Sequence, residues 1–249
     1  MTNRFTKGFI LLSIFFFSCS PMQAPILDSN ASSVIVKKTK TPIQIDGSLK
    51  EAIYSKAEKI YLKNSLSQQA IADPNYATYA QVAYDDSYLY IAFNCKDQDI
   101  HSRFTKRDEY LWQDEVVEVF IDTDDQPNNY VEIEVSPKNV FFDSYITNPK
   151  EIDVPATIKF DLIDYKTAVQ VNGTTHDRTD QDQNWTVEMA IPLAEIVENY
   201  QPELLPTYHW KINFYRINTD NHPLNLIAWL PTGGSFHQPS KFGTLRFGN

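Results

Sequence analysis

The chain has 249 residues, a formal charge of −10 and no basic cluster beyond Lys37, Lys38 and Lys40. That charge excludes partners whose phosphates demand a positive surface, nucleic acid above all, and argues against adsorption of the folded domain to anionic lipid. Seven glycines, a 13% aromatic share and many short β-rich runs between Pro, Asn and Asp point to an all-β fold.

The N-terminus reads as an export segment. Arg4 and Lys7 supply a basic start, Gly8 to Phe17 a short apolar stretch, and Phe17-Ser18-Cys19 a processing site. The pattern resembles a bacterial lipoprotein signal, with Cys19 as the lipid-bearing residue, although Phe16 and Phe17 are bulkier than the residues usual there. Cleavage by an ordinary signal peptidase is the alternative. The expected organisation is a signal over residues 1–19, a flexible tether over 20–33 and one domain over 34–249, held on the bacterial cell envelope by its lipid. With Cys19 acylated, Cys95 is the remaining thiol. It falls in register with Leu89, Ile91 and Phe93 as a small buried hydrophobe, so no disulfide framework is expected.

Val34 and Val36 open a short strand, and Thr41 to Gly47 alternates into a turn. Ser48 to Ala57 is expected as a short helix capped by Ser48 with Glu51 as the reciprocal partner. Tyr61 to Pro74 is a loop with at most one strand. Thr78 to Cys95 is a hairpin about Asp85-Asp86-Ser87, and Lys96 to Glu109 is a charged connector. The centre of the chain is Tyr110 to Asp122. There Val117, Val119 and Ile121 alternate with Glu118, Phe120 and Asp122, and Trp112 lies just upstream. One face is aliphatic and wants a core; the other sets a carboxylate beside a ring. A core strand with a surface acid and a packing Trp is the plainer reading of the same stretch.

An acidic turn follows, then strands over Tyr130 to Ser136 and Val140 to Ile146, joined by Pro137-Lys138-Asn139 with Asn139 left-handed. Ile158 to Leu162 and Lys166 to Val171 extend the strand pattern. Trp185 to Ile191 is a strand with Trp185, Val187, Met189 and Ile191 inward, and Pro192 starts a short helix. Trp210 to Asn218, Leu226 to Leu230 and Gly243 to Phe247 complete the set. Strands at this spacing, with only short peripheral helices, imply two packed antiparallel sheets: an all-β sandwich in one domain.

Several motifs carry a family resemblance: Ile45-Asp46-Gly47 with Leu49, Glu51 and Ala57; Ala83-Tyr84-Asp85 and Tyr88 to Ile91; Trp112, Asp114, Val117, Glu118, Phe120 and Asp122. Trp185, Glu188 and Pro192 follow, then Trp210, Asn213, Arg216, Trp229 and Pro231, then Pro239, Phe242, Gly243, Leu245 and Phe247. Together they resemble the family 9 carbohydrate-binding modules, a branch of the DOMON-like sandwiches with jelly-roll or immunoglobulin-like architecture. Tyr54 stands where that family has Trp, and Asn139 where glycine is common. The resemblance implies a sugar held between two aromatic rings. Trp112 matches one ring and Glu118 the carboxylate. Trp229 is the choice for the second ring, with Phe236 as the alternative. Arg216 is a partner for sugar hydroxyls or else a salt bridge to Glu118 or Glu188, and Tyr130 edges the same face.

Other chemistry is set aside. No G-x-S-x-G is present, and the five histidines form no metal-spaced group. Glu132 and Glu134 alternate on a strand and read as a solvated face rather than a hydrolytic pair. Asp122, Asp124 and Asp125 offer oxygen ligands suited to structural calcium without the EF-hand pattern. No other cofactor is expected. The expected partners are a carbohydrate and neighbouring polysaccharide-degrading enzymes, with the membrane engaged only through the lipid. Two rivals to a sugar-binding module are a structural envelope lipoprotein without ligand and a DOMON-type haem protein, the latter disfavoured because Met189 would face the core and the histidines fall mostly in loops.

Overall fold

A computed structural model describes residues 32–126, 128–219 and 225–248. The signal segment, Cys19 and the tether up to residue 31 lie outside the described residues. The strands are β1 Ser33–Lys38, β2 Ile60–Tyr61, β3 Lys63–Asn64, β4 Thr78–Tyr84, β5 Tyr88–Lys96, β6 Val116–Asp122, β7 Tyr130–Val135 and β8 Phe141–Ile146. They continue with β9 Lys166–Asn172, β10 Asn184–Pro192, β11 His209–Asn218, β12 Asn225–Ala228 and β13 Gly243–Gly248. Two single-turn helices, α1 Val154–Thr157 and α2 Leu193–Ile196, are peripheral. Among the described residues no helix is long and apolar enough to cross a membrane.

Hydrogen bonding runs in one path, β8-β7-β6-β11-β13-β1-β4-β5-β10-β9, which folds back so that its two halves face each other. Alternation decides what lies between them. Val117, Val119 and Ile121 from β6, Ile133 and Val135 from β7, and Phe214 from β11 meet Val82, Ile91, Phe93, Val187 and Met189 from the other half. Phe93 and Phe214 touch across the layer with ring centroids 6.1 Å apart. Each such side chain contributes about 1.5–3 kcal/mol when fully buried. Cys95 is in this core as expected, and burial pushes its thiol up to about 12. The all-β sandwich is therefore observed, but not as purely antiparallel sheets. β1 runs parallel to both β13 and β4 and stitches the halves together. No hairpin can make that pairing, because β13 comes from the far end of the chain.

The other expected elements hold, with three exceptions. Two short strands, β2 and β3, stand at the start of Tyr61 to Pro74 where at most one was expected, because each pairs with a different neighbour, β4 and β12. Asp85 closes the β4–β5 hairpin by accepting from the Ser87 and Tyr88 amides at 2.7 and 2.8 Å. Asn139 takes φ 58°. Ser48 to Ala57, however, is a run of turns rather than a helix. Leu49 sits at φ 50° and the Ser48 amide donates to Asp46 at 2.8 Å, so Ser48 caps nothing. The segment is fixed to the outside of β10 instead, where Glu188 accepts from the amides of Asp46 and Gly47 at 2.9 and 2.7 Å. Nor do residues 158–162 form a strand: Leu162 donates its amide to the Asp143 carboxylate at 2.7 Å, a side-chain partner that replaces a ladder.

Candidate functional site

The residues that alternate with the inner core point away from it. On β6 these are Glu118 and Phe120; on β7, Tyr130, Glu132 and Glu134; on β8, Phe142 and Ser144; on β11, Asn213, Tyr215 and Ile217. This outer face is not bare. Leu111, Phe236 and Phe242 cover it and make a second apolar cluster with Phe120, Tyr130, Phe142 and Tyr215. Asn213 and Tyr215 pin the covering loop, the Asn213 amide donating to the Leu230 carbonyl at 2.9 Å and the Tyr215 hydroxyl to the Phe236 carbonyl at 3.1 Å.

Strand register concentrates carboxylates beneath that cover. Glu118 on β6 lies opposite Glu134 on β7, and Glu132 lies opposite Ser144 on β8. Ser144 donates to Glu132 Oε2 at 2.8 Å. One oxygen from each of Glu118, Glu132 and Glu134 lies within 4.8 Å of the others. All three side chains are buried, which corrects the expectation that Glu132 and Glu134 form a solvated face. Burial, with the charge of Glu132 beside it, holds Glu118 well above the usual carboxylate range. Burial followed by the charges of Glu118 and Glu132 does the same to Glu134. Glu132 is pushed up to about 7 by burial, hydrogen bonds from Ser144 and Glu134 holding it back.

Trp112 stands at the rim. It lies on a single 3-10 turn, Leu111–Gln113, ahead of β6 rather than within a strand. Its ring stacks on Tyr110 with centroids 4.7 Å apart and meets the Phe142 ring edge-on at 5.3 Å. Asp114 anchors the turn by accepting from the Arg103 amide at 2.8 Å. Between Trp112, Phe142, Phe236 and His237, with Glu118 and Glu132 among the lining side chains, lies a pocket of about 390 Å³. The Tyr130 hydroxyl holds His237 Nδ1 at 2.7 Å, and burial lowers the imidazole to about 4, so it is neutral at pH 7.

The structure thus brings Trp112 and Glu118 together, with Phe236 across the pocket. Tyr130 borders the site through His237. Trp229 is elsewhere. Along β12 and just beyond it, Leu226 and Ala228 face outward while Ile227 and Trp229 face the inner core, where the Trp229 ring lies 5.8 Å from Phe214. Arg216 shares the inward parity of Phe214 and is fully buried. It forms an ion pair with Asp97 and donates to the Thr78 hydroxyl and the Lys96 carbonyl, each at 2.9 Å. Its carboxylate partner is therefore neither Glu118 nor Glu188.

The acidic turn is held by its own backbone amides. Asp122 and Asp124 accept from the turn's own amides, Asp124 at 3.1 Å and Gln126 at 3.0 Å, and Asp124 also holds Asn129 at 3.3 Å. Asp125 supplies a left-handed φ of 58°, and its backbone amide hydrogen-bonds Asp122. Among the described residues, Asp122, Asp124 and Asp125 do not bring three oxygens within 4.8 Å of one another.

Sequence reasoning missed Glu132, Glu134, Phe142 and His237 as site residues. The alternation of Tyr130 to Val135 does place both acids on the face opposite Val131 and Ile133. Only the pairing with β6, and the loop over it, makes that face a pocket.

The profile of the carbohydrate family 9 binding domain-like family matches residues 45–249. The chain belongs to this family. An extracellular protein of Arthroderma benhamiae is 29% identical over 178 residues, 68% of this chain and 78% of its own length. Endo-1,4-beta-xylanase A of Thermotoga maritima is 27% identical over 214 residues, 86% of this chain but only 18% of that enzyme. A candidate carbohydrate-binding protein from Bacteroides uniformis has a similar fold, with a TM-score of 0.67 at 17% identity, over 88% of this chain and all of its own. A family 9 module of Caldicellulosiruptor kristjanssonii, solved with cellotriose, has a TM-score of 0.56 at 18% identity, over 87% and 93% of the two chains. Its glucose complex gives 0.57 at 17% identity, over 88% and 96%.

Proposed function

We propose that this family 9 domain is an exported, non-catalytic module that binds a mono- or oligosaccharide, displayed on the bacterial envelope by a lipid on Cys19. The observation that carries the reading is the convergence of Trp112, Phe236 and Glu118 on one pocket. A pyranose has apolar C–H faces that pack on an indole, and its hydroxyls need fixed polar partners. Trp112 supplies the first, and Phe236 rather than Trp229 is the second ring. Glu118 and Glu132 supply the hydrogen bonds; one is worth about 0.5–1.5 kcal/mol to the neutral acid and about 1.5–3 kcal/mol to the charged form. Less the entropy of immobilisation, affinity falls in about the micromolar to millimolar range. Weak binding suits a tethered protein, where avidity or a neighbouring polysaccharide-degrading enzyme supplies retention.

A panel starting from glucose and cello- and xylo-oligosaccharides tests the proposal. Trp112→Ala and Glu118→Ala are each expected to weaken the strongest hit by about tenfold or more, roughly 1.4 kcal/mol. Normal binding by both variants moves the site elsewhere; no binding by the wild type to any glycan favours a ligand-free structural lipoprotein. For the tether, Cys19→Ala is expected to leave the membrane fraction as unprocessed or soluble protein. Fractionation like the wild type sinks the lipid assignment.

A further inference from the structure

We propose that the pocket selects a saccharide carrying a free primary ammonium, an amino sugar, whose charge sits among Glu118, Glu132 and Glu134 while its ring packs on Trp112. The inference rests on the sugar-binding reading and names its ligand class. Glu118 and Glu132 line the pocket, and Glu134 closes the triad from the sheet side. The three oxygens lie no more than 4.8 Å from one another, close enough for one tetrahedral donor to reach all three. An ammonium bonded at about 2.8 Å to three acceptors sets them about 4.6 Å apart.

Two further observations point to a ligand rather than to a chance cluster of acids. Glu118 is 2% exposed, and its Oε1 has no hydrogen-bond partner although the residue lines the pocket. A buried acceptor left without a donor is costly unless a ligand supplies one. Among the described residues lining the pocket there is also no Lys or Arg. Arg107 is committed to Asp143 and Asp161, and Arg216 to Asp97. Burial disfavours three ionised carboxylates side by side, and Glu132 and Glu134 share a hydrogen bond instead; a bound ammonium favours the ionised form of the triad where a neutral hydroxyl cannot. The aromatic wall acts in the same sense, because the face of an indole attracts cations.

The test titrates the full chain in detergent and EDTA at neutral pH with glucosamine, glucose and N-acetylglucosamine, read by tryptophan fluorescence and calorimetry. Glucosamine is expected to bind at least about tenfold more tightly than either neutral sugar. In Glu132→Gln and Glu134→Gln the ratio is expected to fall towards one. Equal or weaker binding of glucosamine by the wild type overturns the inference and leaves the sugar-binding reading standing. Binding of none of the three overturns both. A preference that appears only when calcium replaces EDTA makes the triad a metal site and also overturns it. The wild-type comparison with N-acetylglucosamine, the same sugar without the charge, decides the matter even if a variant does not fold.

Discussion

At the scale of single residues, Glu132 shows how burial turns an ordinary acid into a pH-dependent element. Its ordinary value is 4.5, and in the fold it is about 7. Between those values the native state binds more protons than the unfolded chain, so this group's contribution to stability falls as pH rises, and is level above about 7. His237 acts in the opposite direction: lowered from 6.5 to about 4, it adds stability as pH rises through that window. The clean measurement is therefore a difference. Relative to the wild type, Glu132→Gln should gain in Tm between pH 5 and pH 8, by about 2–4 °C for each kcal/mol removed. Parallel Tm curves would mean that Glu132 is ionised freely in the fold. Trp112 and Glu118 were legible in the sequence as a ring and an acid near one strand. The company Glu118 keeps was not, since Glu134 becomes its neighbour only through cross-strand register.

Among the elements, β12 and β13 illustrate how one glycine decides a side chain's destination. A Cβ placed on Gly243 would lie 2.4 Å from the Trp229 ring and 2.9 Å from the Ser32 carbonyl. The bare backbone at the start of β13 is the space that lets Trp229 pack inward. Gly243→Ala must displace an indole or a strand, and overpacking of this kind costs about 1–3 kcal/mol. Chemical denaturation should show a lower midpoint with the slope unchanged; an unshifted midpoint would show that Trp229 moves freely. The strands themselves were readable from their period of two, as in β10, whose Trp185, Val187, Met189 and Ile191 are all in the inner core. The turns of residues 48–57 were misread because a cap-like Ser and Glu at helical spacing carry no record of Glu188, which claims the preceding amides instead.

For the molecule as a whole, Arg216 and Asp97 tie the two faces together. The pair is fully buried and joins β11 on one side to the ends of β4 and β5 on the other. Removing one member leaves an uncompensated buried charge, which typically costs 3–5 kcal/mol. Arg216→Ala is thus expected to lower the unfolding free energy by about that amount. Replacing both residues with apolar ones of similar size should recover much of the loss. A loss within experimental error in Arg216→Ala would show that water or local rearrangement satisfies Asp97, and that the halves are held by the apolar core alone.

What the sequence determined by itself was the class of fold, most strand positions, the likeness to family 9 and the proximity of Trp112 to Glu118. Each of these is local: a period of two assigns residues to faces, turn residues mark the ends, and short motifs keep their spacing. Only the tertiary structure decided which face became a pocket, that Trp229 and Arg216 turned inward, and that three glutamates met under one loop. Parity says which side chains share a face, but not which distant segment covers it. Cross-strand register and loop docking decide that, and both are set by the packing of residues far apart in the chain.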